Sequence, residues 1–286
     1  MTSEISKLEA YYYATKDVIV GVDDLTIEQA TSMINDKGFR RLPIVADTKL
    51  IGMVTVTDIL KFFVANRRKR PLNELFREQI AYIMTKNVLT LPCDAPLIKA
   101  TEIMFHKRIG SLPLMSNDNL VGIITERDLL AHIPKISTEV AVRDIMTTQV
   151  HTASPQQTVF EAMELMEKVG FRRLPIITDD KGLVGIVCAS DLLRHLVDPS
   201  LKQGQEEEIF DAPLEEIMTT SIIYTEPDTS LSEAASTMAW KRLGALPVID
   251  VTVTRTQCRY GCLVGIVTER DILYKVTHPF HETLKS

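Results

Sequence analysis

The chain has 286 residues, of which 45% are hydrophobic and 24% are charged, and its formal net charge is −6. The length is typical of about two globular domains, and the negative charge disfavours a large nucleic-acid-binding or anionic-membrane surface. No apolar run approaches the roughly 20 residues of a membrane span, and the N-terminus lacks a signal peptide's apolar stretch. The four cysteines are too few and too scattered for a disulfide framework. The sequence therefore predicts a cytoplasmic protein.

The predicted elements recur four times along the chain in the order β-α-β-β-α. The second copy has a β run at 88–91, a helix at 97–105, strands at 112–115 and 120–125, and a closing helix from residue 128. The corresponding first helices of the other copies are predicted near 26–36, 158–169 and 231–242. These assignments follow from apolar spacing and turn residues, and they indicate an α/β fold built from repeats.

Each copy contains a Gly-x-x-Thr-x-x-Asp phrase where its last strand meets its closing helix. The phrases run from Gly52 to Asp58, Gly122 to Asp128, Gly185 to Asp191 and Gly265 to Asp271, with a cysteine for threonine in the third. Upstream, Gly-Phe-Arg-Arg-Leu-Pro occurs at 38–43 and 170–175, and Arg-x-Gly-x-Leu-Pro at 108–113 and 242–247. Odd copies therefore resemble odd copies and even copies resemble even copies, which indicates that a two-repeat unit was duplicated.

One repeat of about 55 residues is near the lower limit for an independent core, so the repeats are expected to pair. We predict four domains, at 1–70, 71–138, 139–198 and 199–286. We further predict that they form two tandem-pair modules, at 1–138 and 139–286.

The order of these motifs resembles the cystathionine-β-synthase-type (CBS) domain family over nearly the whole chain. The resemblance is carried by the Leu-Pro strand, the Gly-x-x-Thr-x-x-Asp turn and an Ile-Met-Thr entry at 83–85, 145–147 and 217–219, which the first repeat lacks. It implies a pseudo-twofold module of two domains with clefts for AMP, ADP, ATP or S-adenosylmethionine. It also implies a regulatory, energy-sensing role without catalysis, as in the similarly built γ subunit of AMP-activated protein kinase.

The motif aspartates are candidates for binding a ribose, because an ionised carboxylate accepts hydrogen bonds from both of its adjacent hydroxyl groups. The threonine three residues earlier is placed to reach ribose or phosphate. The aspartates are Asp58, Asp128, Asp191 and Asp271, and the threonines are Thr55, Thr125 and Thr268. Cys188 replaces the threonine in the third repeat, and because a thiol is a weak donor this site is predicted to be the weakest. Short β runs at 88–89, 150–151 and 222–223 are candidates for an adenine slot.

Two sets of arginines are candidates for binding the phosphate, since the guanidinium fork suits phosphate oxygens. The odd repeats carry Arg40, Arg41, Arg172 and Arg173, and the even repeats carry Arg127 and Arg270 beside the motif aspartate. We predict that Asp128 and Asp271 hold the ribose while the odd-repeat arginines bind the phosphate. AMP is the expected ligand, ADP and ATP are possible, and the cationic S-adenosylmethionine is the alternative.

Other interpretations stay open. Thr-x-x-Asp before a helix is also a capping box, and arginines at a helix C-terminus are favoured by the helix dipole. The repeats could form a scaffold with empty clefts. No catalytic residue, metal site or catalytic cofactor is predicted. Cys258 and Cys262 are read as free thiols, and the basic run at 66–71 as a solvated linker. A homodimer or an intramolecular disc, acting on an unidentified regulated protein, is expected.

Overall fold

The structure is a computed structural model that describes residues 8–132, 140–198, 208–252 and 261–277. It contains four copies of one α/β repeat, which confirms the predicted fold class. None of the helices in these four stretches is long and apolar enough to cross a lipid bilayer.

Each repeat is built around an antiparallel hairpin. The hairpins are β1 (Arg41–Ala46) with β2 (Lys49–Thr55), β4 (Ser111–Ser116) with β5 (Asn119–Thr125), β6 (Arg173–Ile177) with β7 (Leu183–Cys188), and β8 (Ala245–Asp250) with β9 (Cys262–Thr268). The short first strand of the second repeat, β3 (Leu91–Pro92), pairs in parallel with β4. In the other repeats this strand is reduced to single parallel bridges, Gly21 to Ile44, Ala153 to Ile176 and Thr225 to Val248.

Helices flank the hairpins on both sides along the chain, as predicted. The first helices are α2 (Ile27–Lys37), α5 (Leu97–His106), α7 (Val159–Val169) and α10 (Leu231–Lys241), and the closing helices are α3 (Val56–Asn66), α6 (Glu126–His132), α8 (Ala189–Leu196) and α11 (Glu269–Thr277). Three short helices lead into repeats, α1 (Ala10–Tyr13), α4 (Leu72–Arg77) and α9 (Glu208–Asp211).

Local sequence explains where α2 begins and ends. The Thr26 hydroxyl accepts a hydrogen bond from the Gln29 amide at 3.2 Å, and the Thr26 amide donates to the Gln29 side chain at 2.9 Å. Gly38 ends the helix at φ +67°, a left-handed conformation that glycine adopts without strain. The same two signals, Thr158 and Gly170, bound α7 in the third repeat.

The described residues form two compact units. The odd unit, Ile19–Val88 and His151–Ile222, contains repeats one and three, and the even unit, Met1–Val18, Leu89–Val150 and Ile223–Ser286, contains repeats two and four. The tandem modules at 1–138 and 139–286 group the repeats differently and stay a prediction, as do the four domain boundaries.

Helices make the core of each unit. In the odd unit α3 packs on α7 and α8, and α2 packs on α8; in the even unit α6 packs on α10 and α11, and α5 packs on α11. In each unit, the closing helix of either repeat packs on the first helix of the other repeat, and the two closing helices pack on each other. This is the pattern that a pseudo-twofold axis between the two repeats produces. In the odd unit Phe63 lies against Phe76 and Phe210, with ring centroids 5.0 and 6.4 Å apart, and it is fully buried.

The Ile-Met-Thr entry segments of repeats two, three and four pack on the hairpins of repeats one, four and three, respectively. In each case the entry segment belongs to the same compact unit as the hairpin it contacts, and not to the unit that holds the rest of its own repeat. The Thr85 amide donates to the Met53 carbonyl at 2.9 Å, and a Cβ at Gly52 would lie 2.4 Å from the Met84 sulfur. The corresponding distances are 2.3 Å for Gly185 and Met218, and 2.7 Å for Gly265 and Met146. The motif glycine is therefore needed to admit this methionine. In the first repeat Thr15 pairs with Ile123 as Thr85 pairs with Met53, and Ala14 takes the place of the methionine, with its Cβ 3.5 Å from a Cβ built at Gly122.

Candidate functional site

The four motif aspartates all lie at the first turn of a closing helix, where each accepts hydrogen bonds from the residue three positions earlier. Oδ2 of Asp58 accepts from the Thr55 amide at 2.8 Å and from the Thr55 hydroxyl at 2.7 Å. Thr125 with Asp128 and Thr268 with Asp271 repeat this geometry at the same distances. The capping interpretation is therefore correct for these three repeats.

Capping uses only one oxygen of each carboxylate. Within the described residues, the structure records no hydrogen bond to Oδ1 of Asp58, Asp128 or Asp271. An ionised carboxylate has acceptor capacity on both oxygens. These three side chains can therefore cap the helix and accept a hydroxyl group at the same time.

The third repeat differs from the others at this turn. The Cys188 amide donates to Oδ2 of Asp191 at 2.8 Å, but Oδ1 accepts from the Arg194 guanidinium at 3.2 Å. Both oxygens of Asp191 thus have protein donors. Burial raises the pKa of the Cys188 thiol, against the positive charges of Arg173 and Arg40, so this thiol stays neutral.

Asp271 lies in a desolvated environment. Burial raises the pKa of its carboxyl group above the ordinary aspartate value, although the hydrogen bonds from Thr268 and the positive charge of Arg270 act in the opposite direction. The negative charge of Glu126 adds to the increase, which places Glu126 of repeat two close to the turn of repeat four. A desolvated acceptor forms strong charge-assisted hydrogen bonds once it is ionised.

Strand register determines which residue faces the motif threonine. Arg41 lies directly opposite Thr55, and Arg173 opposite Cys188. Directly opposed residues project from the same face of a hairpin, with Cβ atoms about 4.5–5.5 Å apart. In the even repeats Ser111 lies opposite Thr125, and Ala245 opposite Thr268.

The preceding arginines of the odd repeats contribute their backbone to the same turns. The carbonyl of Arg40 accepts from the Val56 amide at 3.1 Å, and that of Arg172 accepts from the Ala189 amide at 2.9 Å. The four odd-repeat arginines are half-buried. Because Asp128 and Asp271 belong to the even unit, their cooperation with these arginines stays a prediction.

The even-repeat arginines form ion pairs that connect repeats two and four. Nε of Arg270 donates to Oε1 of Glu126 at 2.7 Å, and Nε of Arg127 donates to Oε1 of Glu269 at 3.4 Å. Nη2 of Arg127 also donates to the Arg242 carbonyl at 2.6 Å. The sequence did not single out either glutamate, although the identical Thr-Glu-Arg-Asp of both even repeats was a usable signal.

The relative energies favour these ion pairs over a phosphate contact. The side chains of Glu126 and Glu269 are only 9% and 6% exposed. Removing one partner of a buried ion pair costs about 3–5 kcal/mol, whereas a hydrogen bond to a charged group contributes about 1.5–3 kcal/mol. The expectation that Arg127 and Arg270 contact ligand therefore competes with an interaction already made in the protein.

The short β runs that are candidates for the adenine slot differ in their exposure to solvent and in their contacts. Leu89 is 45% exposed and Ile222 is buried, while the His151 ring stacks on Phe171 at 5.5 Å. His151 and Phe171 both belong to the odd unit, and Phe171 lies two residues before Arg173.

Two other features noted in the sequence have structural roles or fall outside the described residues. In the basic run, Arg67 forms an ion pair with Asp211 at 2.8 Å and its guanidinium lies 4.7 Å from the ring centroids of Phe160 and Phe210. Arg67 therefore connects repeat one to Phe160 of repeat three and to α9, all within the odd unit. Cys258 lies outside the described residues, and Cys262 is a buried free cysteine. In the described ranges no group of three or more histidine, cysteine or acidic residues is placed to hold a metal ion.

Comparisons with known proteins agree with the repeat structure. The CBS domain family model matches residues 9–65, 79–135, 142–198 and 214–278. Protein MJ1225 of Methanocaldococcus jannaschii is 30% identical over 274 residues, covering 90% of this chain and 95% of that protein. Its crystal structure, described as a candidate archaeal homologue of γ-AMPK, matches with a TM-score of 0.84 and 29% identity, covering 93% of this chain and 99% of that one.

Further relatives match over different lengths. A 33.4 kDa protein from the ribosomal RNA operon of Thermofilum pendens is 30% identical and covers 83% of this chain and 80% of its own length. An inosine-5′-monophosphate dehydrogenase of Thermoplasma acidophilum is 31% identical, but the match covers 44% of this chain and only 25% of the enzyme. The chain therefore belongs to the CBS domain family, with four copies of the domain in one polypeptide.

Proposed function

We propose that this chain is a non-catalytic regulatory protein that binds adenine nucleotides, with AMP as the preferred ligand. The observation that carries the proposal is that helix capping uses only one of the two carboxylate oxygens of Asp58, Asp128 and Asp271. In each, Oδ2 caps the helix and Oδ1 keeps its acceptor capacity. The position of these aspartates after a strand, at the start of a helix, is where α/β proteins commonly bind ligands.

The ribose is proposed to donate its two hydroxyl groups to the ionised aspartate. Asp128 and Asp271 are the favoured pair because Ser111 and Ala245, opposite their threonines, leave more space than an arginine does. The matching turn of repeat three is expected to bind weakly or stay empty, because Arg194 already donates to the second oxygen of Asp191.

The odd-repeat arginines are proposed to attract the phosphate. Arg41 and Arg173 stand opposite the motif position of their hairpins, and Arg40 and Arg172 precede them. The positive charge of two arginines in each odd repeat favours an anionic ligand over the cationic S-adenosylmethionine. ADP and ATP carry the same groups as AMP and remain candidates for the same sites.

Calorimetric titration of the full chain with AMP, ADP, ATP, adenosine and S-adenosylmethionine tests the proposal. We expect AMP to bind more tightly than adenosine, with S-adenosylmethionine the weakest, and bound nucleotide to raise the melting temperature. Mass spectrometry of the natively purified protein would identify any ligand carried through purification. A chain that binds none of the five compounds would be the scaffold with empty clefts.

A further inference from the structure

Glu126 and Glu269 occupy the first position of α6 and α11, directly before the arginine and two residues before the motif aspartate. Each is almost fully buried and accepts from the arginine of the other repeat in the even unit. We infer that these glutamates are positioning residues for ligand selectivity. They hold Arg270 and Arg127 away from the ligand, so that the turns of repeats two and four bind the nucleoside without a phosphate contact from these arginines. The inference rests on the proposed function.

Each arginine donates to an acid of the other repeat and not to its own aspartate. Arg270 adjoins Asp271 in sequence, yet its Nε donates to Glu126, 144 positions away along the chain. Arg127 is held by two acceptors, the carboxylate of Glu269 and the carbonyl of Arg242. A phosphate that recruited either arginine would leave a buried glutamate without its cation, which is unfavourable in a desolvated site.

The odd unit supplies the contrast. Val56 and Ala189, which are buried, occupy the positions of Glu126 and Glu269, and Thr57 and Ser190 occupy those of the two arginines. Arginines in the odd unit lie instead on the neighbouring strand, opposite the motif position. The even repeats thus carry an arginine at the turn itself, paired with a buried acid of the other repeat, whereas the odd repeats carry arginines on the neighbouring strand.

Neutralising the glutamate should therefore change selectivity and not merely affinity. In Glu126→Gln the amide still accepts a hydrogen bond from Arg270 but no longer carries the charge that holds it. We expect the ratio of AMP to adenosine affinity at the repeat-four site to rise at least threefold. The site is identified as the one that Asp271→Ala weakens.

The test uses the full chain and calorimetric titration with AMP and with adenosine. The variants are Glu126→Gln, Arg270→Gln, the double variant, and Glu233→Gln, an exposed glutamate of the same unit, as matched control. We expect Arg270→Gln and the control to keep the wild-type ratio within twofold, and the double variant to lose the gain of Glu126→Gln.

A threefold fall of the ratio in Arg270→Gln would overturn the inference, because Arg270 would then bind phosphate with the glutamate present. An unchanged ratio in Glu126→Gln would overturn it as well. If the single variants fail to fold, the double variant, in which both charges are gone, decides by the same ratio: the wild-type value supports the inference and a threefold fall refutes it. A wild-type chain that binds neither compound refutes the proposed function itself, and the inference falls with it.

Discussion

Replacing Asp271 by alanine separates its structural role from its proposed role in binding. The change removes the two hydrogen bonds that Oδ2 accepts from Thr268, at 2.8 and 2.7 Å, and also removes Oδ1. Loss of a helix cap costs about 0.5–2 kcal/mol of unfolding free energy. Because burial already disfavours the charged form of this carboxyl group, we expect a value near the lower end.

The effect on binding should be larger. A hydrogen bond to a charged acceptor contributes about 1.5–3 kcal/mol, so the affinity of the repeat-four site for AMP and for adenosine should fall about tenfold to a hundredfold. Calorimetry gives the affinities, and urea unfolding gives the stability.

Glu161→Ala provides the matched control. Glu161 accepts from the Thr158 amide at 2.9 Å in a capping box at the start of α7, a first helix of its repeat, which is not preceded by the motif turn. We expect a comparable loss of stability and no loss of affinity. Equal affinity losses in the two variants would refute the ribose role of Asp271, since the effect would then be that of a lost cap alone.

Three further predictions follow from other parts of the structure. Arg172→Ala and Arg173→Ala should each weaken AMP at least threefold more than adenosine in calorimetry, because the phosphate is the proposed partner, and equal losses would contradict that role. Gly185→Ala should destabilise the chain by about 1–3 kcal/mol, since its Cβ would lie 2.3 Å from the Met218 sulfur. Adding Met218→Ala should restore part of this loss in thermal unfolding. If the stability losses of the two single variants simply add in the double variant, the clash is not the cause. The pKa of Asp271 is raised in the folded state, so its contribution to stability should fall as pH rises from the ordinary aspartate pKa through the raised one, while adenosine affinity at this site rises. Asp271→Asn should lack both changes. An Asp271→Asn variant with the same pH profile as the wild type would rule out this carboxyl group as their source.

Local sequence predicted the repeats because their signals lie within a few residues of one another. Thr26 and Gly38 bound α2, and Thr158 and Gly170 bound α7, through hydrogen bonds and backbone conformations that need no distant partner. The capping interpretation of the Thr-x-x-Asp turn was correct for three repeats for the same reason: its spacing alone brings the threonine to one oxygen of the aspartate. The ribose-binding role of these aspartates stays a prediction.

Partners of the charged side chains could not be read in this way. The ion pairs of Arg127 with Glu269 and of Arg270 with Glu126 join residues 142 and 144 positions apart. No spacing rule relates such positions, because the packing of α6 against α11 brings them together. The same holds for the pairing of alternate repeats within each unit, which depends on which helical faces bury their apolar residues against each other. The sequence by itself determined the repeated element and its capped turn, through short-range geometry. The tertiary structure decided which charged side chains pair with each other, because a buried glutamate without a partner is costly.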